Sequence, residues 1–211
     1  MKPLKTISLL IVTITVSSLF SFNCTSKDSN KVDSTKEDTL WNEKVQNVFF
    51  DTPFGASKQE VCYNFEKLGV SISPLFSNDS CLVFHSLPDC VIKFAGLEFT
   101  QVDALFNKNN KLFAIGFIKT YEYREDALER YKYLEKVLSQ KYKLSEYMPD
   151  DSTFIAMKRA YGKNACRASV SCCTYEALVG GEIRYSTRLW YTDDNIENEE
   201  VNLDEVNLDE L

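Results

Sequence analysis

Apolar side chains first recur at helical spacing over residues 57–69. Val61, Phe65 and Leu68 fall at i, i+4 and i+7, with Cys62 beside the stripe. Ser57-Lys58-Gln59-Glu60 fits a capping box, in which the Ser hydroxyl and the Glu carboxylate satisfy free amides reciprocally. Gly69 is placed to end this helix with a positive φ. A longer helix is predicted over residues 124–142. Ala127, Tyr131, Leu134 and Leu138 share one face, with Glu125 and Asp126 in the first turn and Lys141 in the last, as the helix dipole favours.

Elsewhere the period shortens towards two. Val48 to Phe50, Val70 to Leu75, Cys81 to His85, Val91 to Phe94 and Leu97 to Phe106 read as strands, with a bulge or bend at Ala95-Gly96. Leu112 to Lys119 follows a polar turn at residues 107–111 and is expected to pair with the strand before it. After the long helix come Thr153 to Ala160, Cys166 to Tyr175 and Ile183 to Tyr191, separated by turns at Gly162-Lys163-Asn164 and Gly180-Gly181. In the last strand Ile183, Tyr185, Thr187, Leu189 and Tyr191 alternate with Arg184, Ser186, Arg188 and Trp190, the mark of a half-buried antiparallel strand.

Hairpin-length links between strands predict an α+β fold: a single domain, residues 45–192, with a mainly antiparallel sheet and two helices packed on one side. The order of helix, strands, helix, strands suggests a pseudo-repeat without residue-level identity. It resembles small envelope domains built from helix-plus-hairpin repeats, such as the beta-lactamase-inhibitor-protein-like lipoproteins. That resemblance covers element order alone and carries no functional residue.

The chain's start adds an address. Lys2 and Lys5 precede an uncharged, mostly apolar run from Ile7 to Phe22, the layout of a secretory signal over residues 1–23. The run is shorter than the ~20 residues a membrane-spanning helix needs. Cys24 follows, then the polar stretch Thr25 to Lys31. This resembles a bacterial lipoprotein precursor. The three residues before the cysteine, Ser21-Phe22-Asn23, depart from the usual Leu, small residue and Gly, Ala or Ser, and are similar to the relaxed pattern of Bacteroidetes lipoproteins. The resemblance implies lipidation of Cys24, a membrane partner, and residence in the cell envelope, with the outer membrane as the expected site. Residues 24–44 then read as a flexible tether.

Charge sharpens this picture. The chain carries 24 Lys+Arg and 31 Asp+Glu, a net −7. Nine of the acids lie in residues 193–211, which hold no base. This segment repeats Glu-Val-Asn-Leu-Asp from Glu200 and from Glu205 and reads as an acidic, disordered tail. Residues 24–192 balance 22 bases against 22 acids and show no basic cluster, which argues against nucleic acid as a partner.

With Cys24 assigned to lipid, six cysteines remain: Cys62, Cys81, Cys90, Cys166, Cys172 and Cys173. An even number in an exported chain reads as disulfides, with 15 complete pairings. Cys166 and Cys172 lie about 20 Å apart along one strand, and Cys172 and Cys173 face opposite ways. The expectation is that the late three meet the early three.

No catalytic set stands out. His85 shares a strand face with Cys81 but lies about 13 Å from it, too far for a nucleophile and its base. The cysteine spacing matches no zinc motif, and no cofactor is implied. Carboxylate pairs such as Glu98 with Asp103 are expected by chance in an acid-rich chain. Tyr121, Tyr123 and Trp190 stand out as a candidate binding surface, because exposed aromatics favour recognition. The expected function is non-catalytic binding or accessory work in the envelope, with an envelope protein as a candidate partner. The alternative is a hydrolase or transferase with a carboxylate site assembled from distant residues.

Overall fold

A computed structural model of the chain describes residues 40–86, 91–176 and 181–199. The described chain is mainly β. In chain order the elements are β1 (Trp41–Asn42), β2 (Val48–Phe49), β3 (Thr52–Pro53), α1 (Lys58–Glu66), β4 (Val70–Ile72), β5 (Cys81–Ser86), β6 (Ile92–Phe94), β7 (Leu97–Phe99), β8 (Gln101–Phe106) and β9 (Leu112–Tyr121). Then follow α2 (Arg124–Lys141), β10 (Ser145–Glu146), β11 (Phe154–Gly162), β12 (Cys166–Glu176), β13 (Ile183–Asp193) and α3 (Asp194–Glu197).

The main sheet runs β1-β11-β12-β13-β9-β8-β5-β4, with β10 also on β11. It is mixed, because β1 runs parallel to β11 whereas the other pairings are antiparallel. The chain closes the centre by bringing β13 back against β9, so that Leu189 sits opposite Phe117 and Tyr191 opposite Ile115. Those four side chains join Val102, Ala104, Val170 and Cys172 in one buried core. The α1 stripe enters the same core through Val61 and Phe65, and the α2 stripe through Ala127, Tyr131, Leu134 and Leu138.

Local chemistry explains the elements. The capping box at Ser57 and Glu60 forms as expected, and Gly69 ends the α1 turn with φ +73°. The stretch expected as one strand from Leu97 to Phe106 breaks at Thr100. Its first half pairs with β6 in a separate hairpin and its second half joins the main sheet. The expected bulge at Ala95-Gly96 is instead the two-residue turn of that hairpin, with φ +52° and +74° at its two residues. Positive φ at both central positions gives a turn whose twist matches the flanking strands.

The folded body extends beyond the limits expected at both ends. The tether was expected to run to Lys44, but β1 already pairs at Trp41. Asn42 makes this possible. Its buried side-chain amide donates to the carbonyls of Lys143 and Tyr161, both at 3.1 Å, and accepts from the Lys143 amide at 2.7 Å. A polar residue in a polar segment thus becomes a clamp. At the other end, residues 193–199 do not belong to a disordered tail. Asp193 caps α3 by accepting from the Asn195 and Ile196 amides. Arg167 pairs with Asp194 at 3.0 Å and Glu197 at 2.8 Å, and Lys111 pairs with Glu199 at 2.7 Å. The repeat from Glu200 lies outside the described residues.

Two outcomes follow. Asn42→Ala strips three hydrogen bonds from a buried clamp and is expected to lower unfolding free energy by about 2–3 kcal/mol in urea denaturation. An unchanged midpoint would mean that β1 adds nothing to the fold. Ala95→Asn replaces a residue that dislikes left-handed backbone with one that tolerates it and is expected to raise the midpoint, by about 0.5–1 kcal/mol. A lower midpoint would show that this turn has another geometry.

Candidate functional site

Tyr121 ends β9, where the strand runs past the core. Lys119 and Tyr121 lie on the same sheet face as Ile115 and Phe117, but past the buried aromatics. Here the first turns of α2 and the tip of the β6–β7 hairpin leave a groove of about 570 Å³. The hairpin contributes Gly96, Leu97 and Glu98. From α2 come Asp126, Glu129, Arg130 and Tyr133, which recur at i, i+3, i+4 and i+7 and so form one helical face beside the buried stripe. A second concavity of about 380 Å³ abuts it through Tyr121 and is lined by Thr120, Glu122, Tyr175 and Arg184.

Tyr121 therefore serves both hollows. Burial pushes the pKa of its hydroxyl up, against the Thr187 hydroxyl and Arg130, which pull it down. Among the described residues the buried hydroxyl has no hydrogen-bond partner. Arg130 is held from three sides. Its Nη2 donates to the Glu98 carbonyl at 3.2 Å, and its guanidinium lies 5.9 Å from the Phe99 ring and 5.7 Å from the Tyr133 ring. Its Nε is buried and, among the described residues, has no hydrogen-bond partner.

The three aromatics expected to share a surface are dispersed. Tyr121 lines both hollows, and Tyr123 is exposed just before α2. Trp190 lies on the opposite sheet face, packed over Gly116. A Cβ on that glycine would meet three adjacent ring atoms at 2.5–2.7 Å, so the indole covers the glycine face-on. Glu98 and Asp103 are likewise kept apart. Glu98 lines the groove, whereas Asp103 sits opposite Gly116 on the other face, half-buried and bound by Gln101 at 2.7 Å. Burial raises the pKa of its carboxyl. No paired carboxylate site forms from these two.

His85 packs 5.8 Å from the Phe76 ring, and burial lowers its pKa. Cys81 on the same strand is pushed up to about 12 by burial and by the nearby Asp103 charge. A thiol so protonated is a poor nucleophile. Among the described residues Cys62, Cys81, Cys166, Cys172 and Cys173 form no disulfide with one another, and Cys90 lies outside them, as does Cys24. The sheet order corrects part of the expected bridging. Four strand steps separate β5 from β12, about 19 Å at 4.8 Å per step, well beyond disulfide reach, so Cys81 cannot join the late cysteines. Burial also raises Cys166 to about 12 and Cys172 to about 11. Among the described residues no cluster of three or more His, Cys, Asp or Glu side chains could hold a metal ion. No helix among them is long and apolar enough to cross a membrane.

Lys119, Arg130, Glu129 and Tyr133 escape sequence reading as site residues. The helical periodicity of Asp126, Glu129, Arg130 and Tyr133 is visible in the chain, but nothing local shows that a hairpin 30 residues earlier folds beside it. Comparison with protein-family models, with curated proteins and with solved structures finds no match.

Proposed function

We propose that the chain is a lipid-anchored protein of the cell envelope whose folded domain binds a ligand or partner without catalysing a reaction. The observation that carries the binding role is the groove at Tyr121. Five charged side chains and two tyrosines line it, and none of the five makes an ion pair among the described residues. Charges held at a concavity and left unpaired are suited to meeting a ligand. The anchor rests on the positive start, the apolar run and Cys24. An acylated Cys24 would place the groove within reach of envelope molecules, since each buried methylene adds about 0.8 kcal/mol of membrane affinity.

The same reading places α1 and α2 on one side of the sheet. Phe65 of α1 stacks on Phe84 at 4.9 Å, and the α2 stripe joins the same buried cluster as Phe84. The groove then opens at the rim of the helical layer.

Two measurements test the proposal. Intact mass of the chain extracted from membranes is expected to show a mature protein beginning at Cys24 with acyl chains attached, and Cys24→Ser is expected to abolish the acyl mass. A mature chain that begins elsewhere and lacks acyl mass overturns the anchor. For the groove, a photo-reactive residue replacing Tyr133, irradiated in intact cells, is expected to give a discrete mass adduct. The same residue replacing the exposed Tyr63 of α1 is expected to give none. Equal labelling, or no labelling at Tyr133, overturns the binding role.

A further inference from the structure

Three basic side chains elsewhere on this domain each bridge two acids. Lys158 bridges Glu135 and Glu146, Arg167 bridges Asp194 and Glu197, and Arg184 bridges Glu122 and Glu182. The groove differs. Lys119 and Arg130 stand beside Glu98, Asp126 and Glu129, yet none of the five pairs with another among the described residues. Arg130 shows why. The Glu98 backbone carbonyl and the rings of Phe99 and Tyr133 fix its guanidinium, so it cannot swing to the acids one turn away. The buried Nε still lacks an acceptor among the described residues. The concavity is thus lined by unpaired charge of both signs, three acids and two bases, a balance of one negative.

This arrangement selects a ligand by sign. A simple anion would meet two cations but also three carboxylates. A simple cation would leave the Arg130 and Lys119 charges unmet. A molecule carrying an anionic group at one end and an ammonium at the other answers both. From this pattern we infer that the groove binds a zwitterionic ligand, its carboxylate or phosphate at Arg130 and Lys119 and its ammonium at Asp126 and Glu129. The inference rests on the binding role proposed above. A short peptide with free termini and a phosphoethanolamine headgroup share this chemistry, and both fit an open volume of about 570 Å³ with tyrosine walls. Solvent reaches the groove, so each charge contact is modest and an affinity in the micromolar-to-millimolar range follows.

The test is calorimetric titration of the detergent-solubilised full chain with alanyl-alanine, with its N-acetylated and C-amidated forms, and with glycerophosphoethanolamine. At least one zwitterion is expected to bind, and which one identifies the source. If the dipeptide is the ligand, blocking either terminus is expected to weaken it about tenfold, the effect of about 1.4 kcal/mol. For whichever zwitterion binds, Lys119→Met and Asp126→Asn are each expected to weaken it about threefold to tenfold. Both positions lie at the groove rather than in the core, so folding is preserved. Lys163→Met, at a residue that is ion-paired with Glu43 and lines neither hollow, is expected to change nothing. Failure of both zwitterions to bind overturns the inference, as does equal binding of the blocked dipeptides or a lack of effect from the groove variants. If Tyr133 is labelled in cells while both zwitterions fail, the inference falls and the binding role stands. If labelling fails too, both fall.

Discussion

The stack of Phe94 on Phe117 is the contact on which the rest of the arrangement depends. The two rings lie 4.1 Å apart and within 3° of parallel. Phe117 is at the centre of β9, inside the main sheet, and Phe94 ends β6, in a hairpin that forms no strand pairing with that sheet. Backbone hydrogen bonds reach only the hairpin's base, where the Thr100 amide donates to the Ile118 carbonyl at 3.0 Å, so aromatic packing must seat the rest. Phe99, at the hairpin's other end, adds a second contact to Phe117 at 5.5 Å. Phe49 and Phe50 approach the same ring at 6.2 and 6.1 Å, which docks the β2–β3 hairpin on the same point. Such pairs contribute about 0.5–1.5 kcal/mol each beyond area burial. Several converging on one ring can hold two short hairpins that would not be stable alone.

That cluster also carries strain. Phe50 and Asp51 form the β2–β3 turn with φ +49° and +61°, a region that bulky side chains avoid. The Phe50 ring meets Phe65 edge-on at 5.5 Å and Phe94 at 5.9 Å, which offsets the backbone cost with buried aromatic contact. Sequence and packing disagree at this turn, and packing wins. Hairpin turns of this kind favour Asn-Gly or Asp-Gly, and Phe-Asp carries no such signal. The β2–β3 hairpin was therefore invisible in the chain: Val48 and Phe49 are extended as expected, but Phe50, expected in the same strand, turns instead.

What could be read depended on how local its cause is. The stripe from Ala127 to Leu138, the capping box at Ser57 and the alternation from Ile183 to Tyr191 are local, and each element formed where expected. Sheet order is not local. No feature of β5 or β12 states that three strands lie between them, and so the distance from Cys81 to the late cysteines could not be read from the chain. The ends failed for the opposite reason. Asn42 and Asp193 to Glu199 are polar and read as solvated, but distant partners at Lys143, Tyr161, Arg167 and Lys111 turn that polarity into hydrogen bonds and ion pairs. The acidity near the end of the chain is thus partly structural.

The groove inherits its character from the same aromatic anchor. Because Phe94 and Phe99 hold the hairpin against Phe117, the Glu98 carbonyl lies where Arg130 can donate to it, and the Phe99 ring lies beside the guanidinium. Arg130 is therefore fixed by the core rather than by neighbouring acids. A cation fixed in this way leaves Asp126 and Glu129 uncompensated on the same helix, and Lys119 sits on β9 outside ion-pair reach of either. Surface charges free to move would relax into pairs worth only a few tenths of a kcal/mol. Arg130, engaged by the hairpin carbonyl and two rings, is not free to do so, and its charge is left for the hollow. The hydrophobic interaction that seats a hairpin thereby determines the electrostatics at its edge, and a loosened Phe94–Phe117 stack would disperse the groove's charges before it unfolded the sheet.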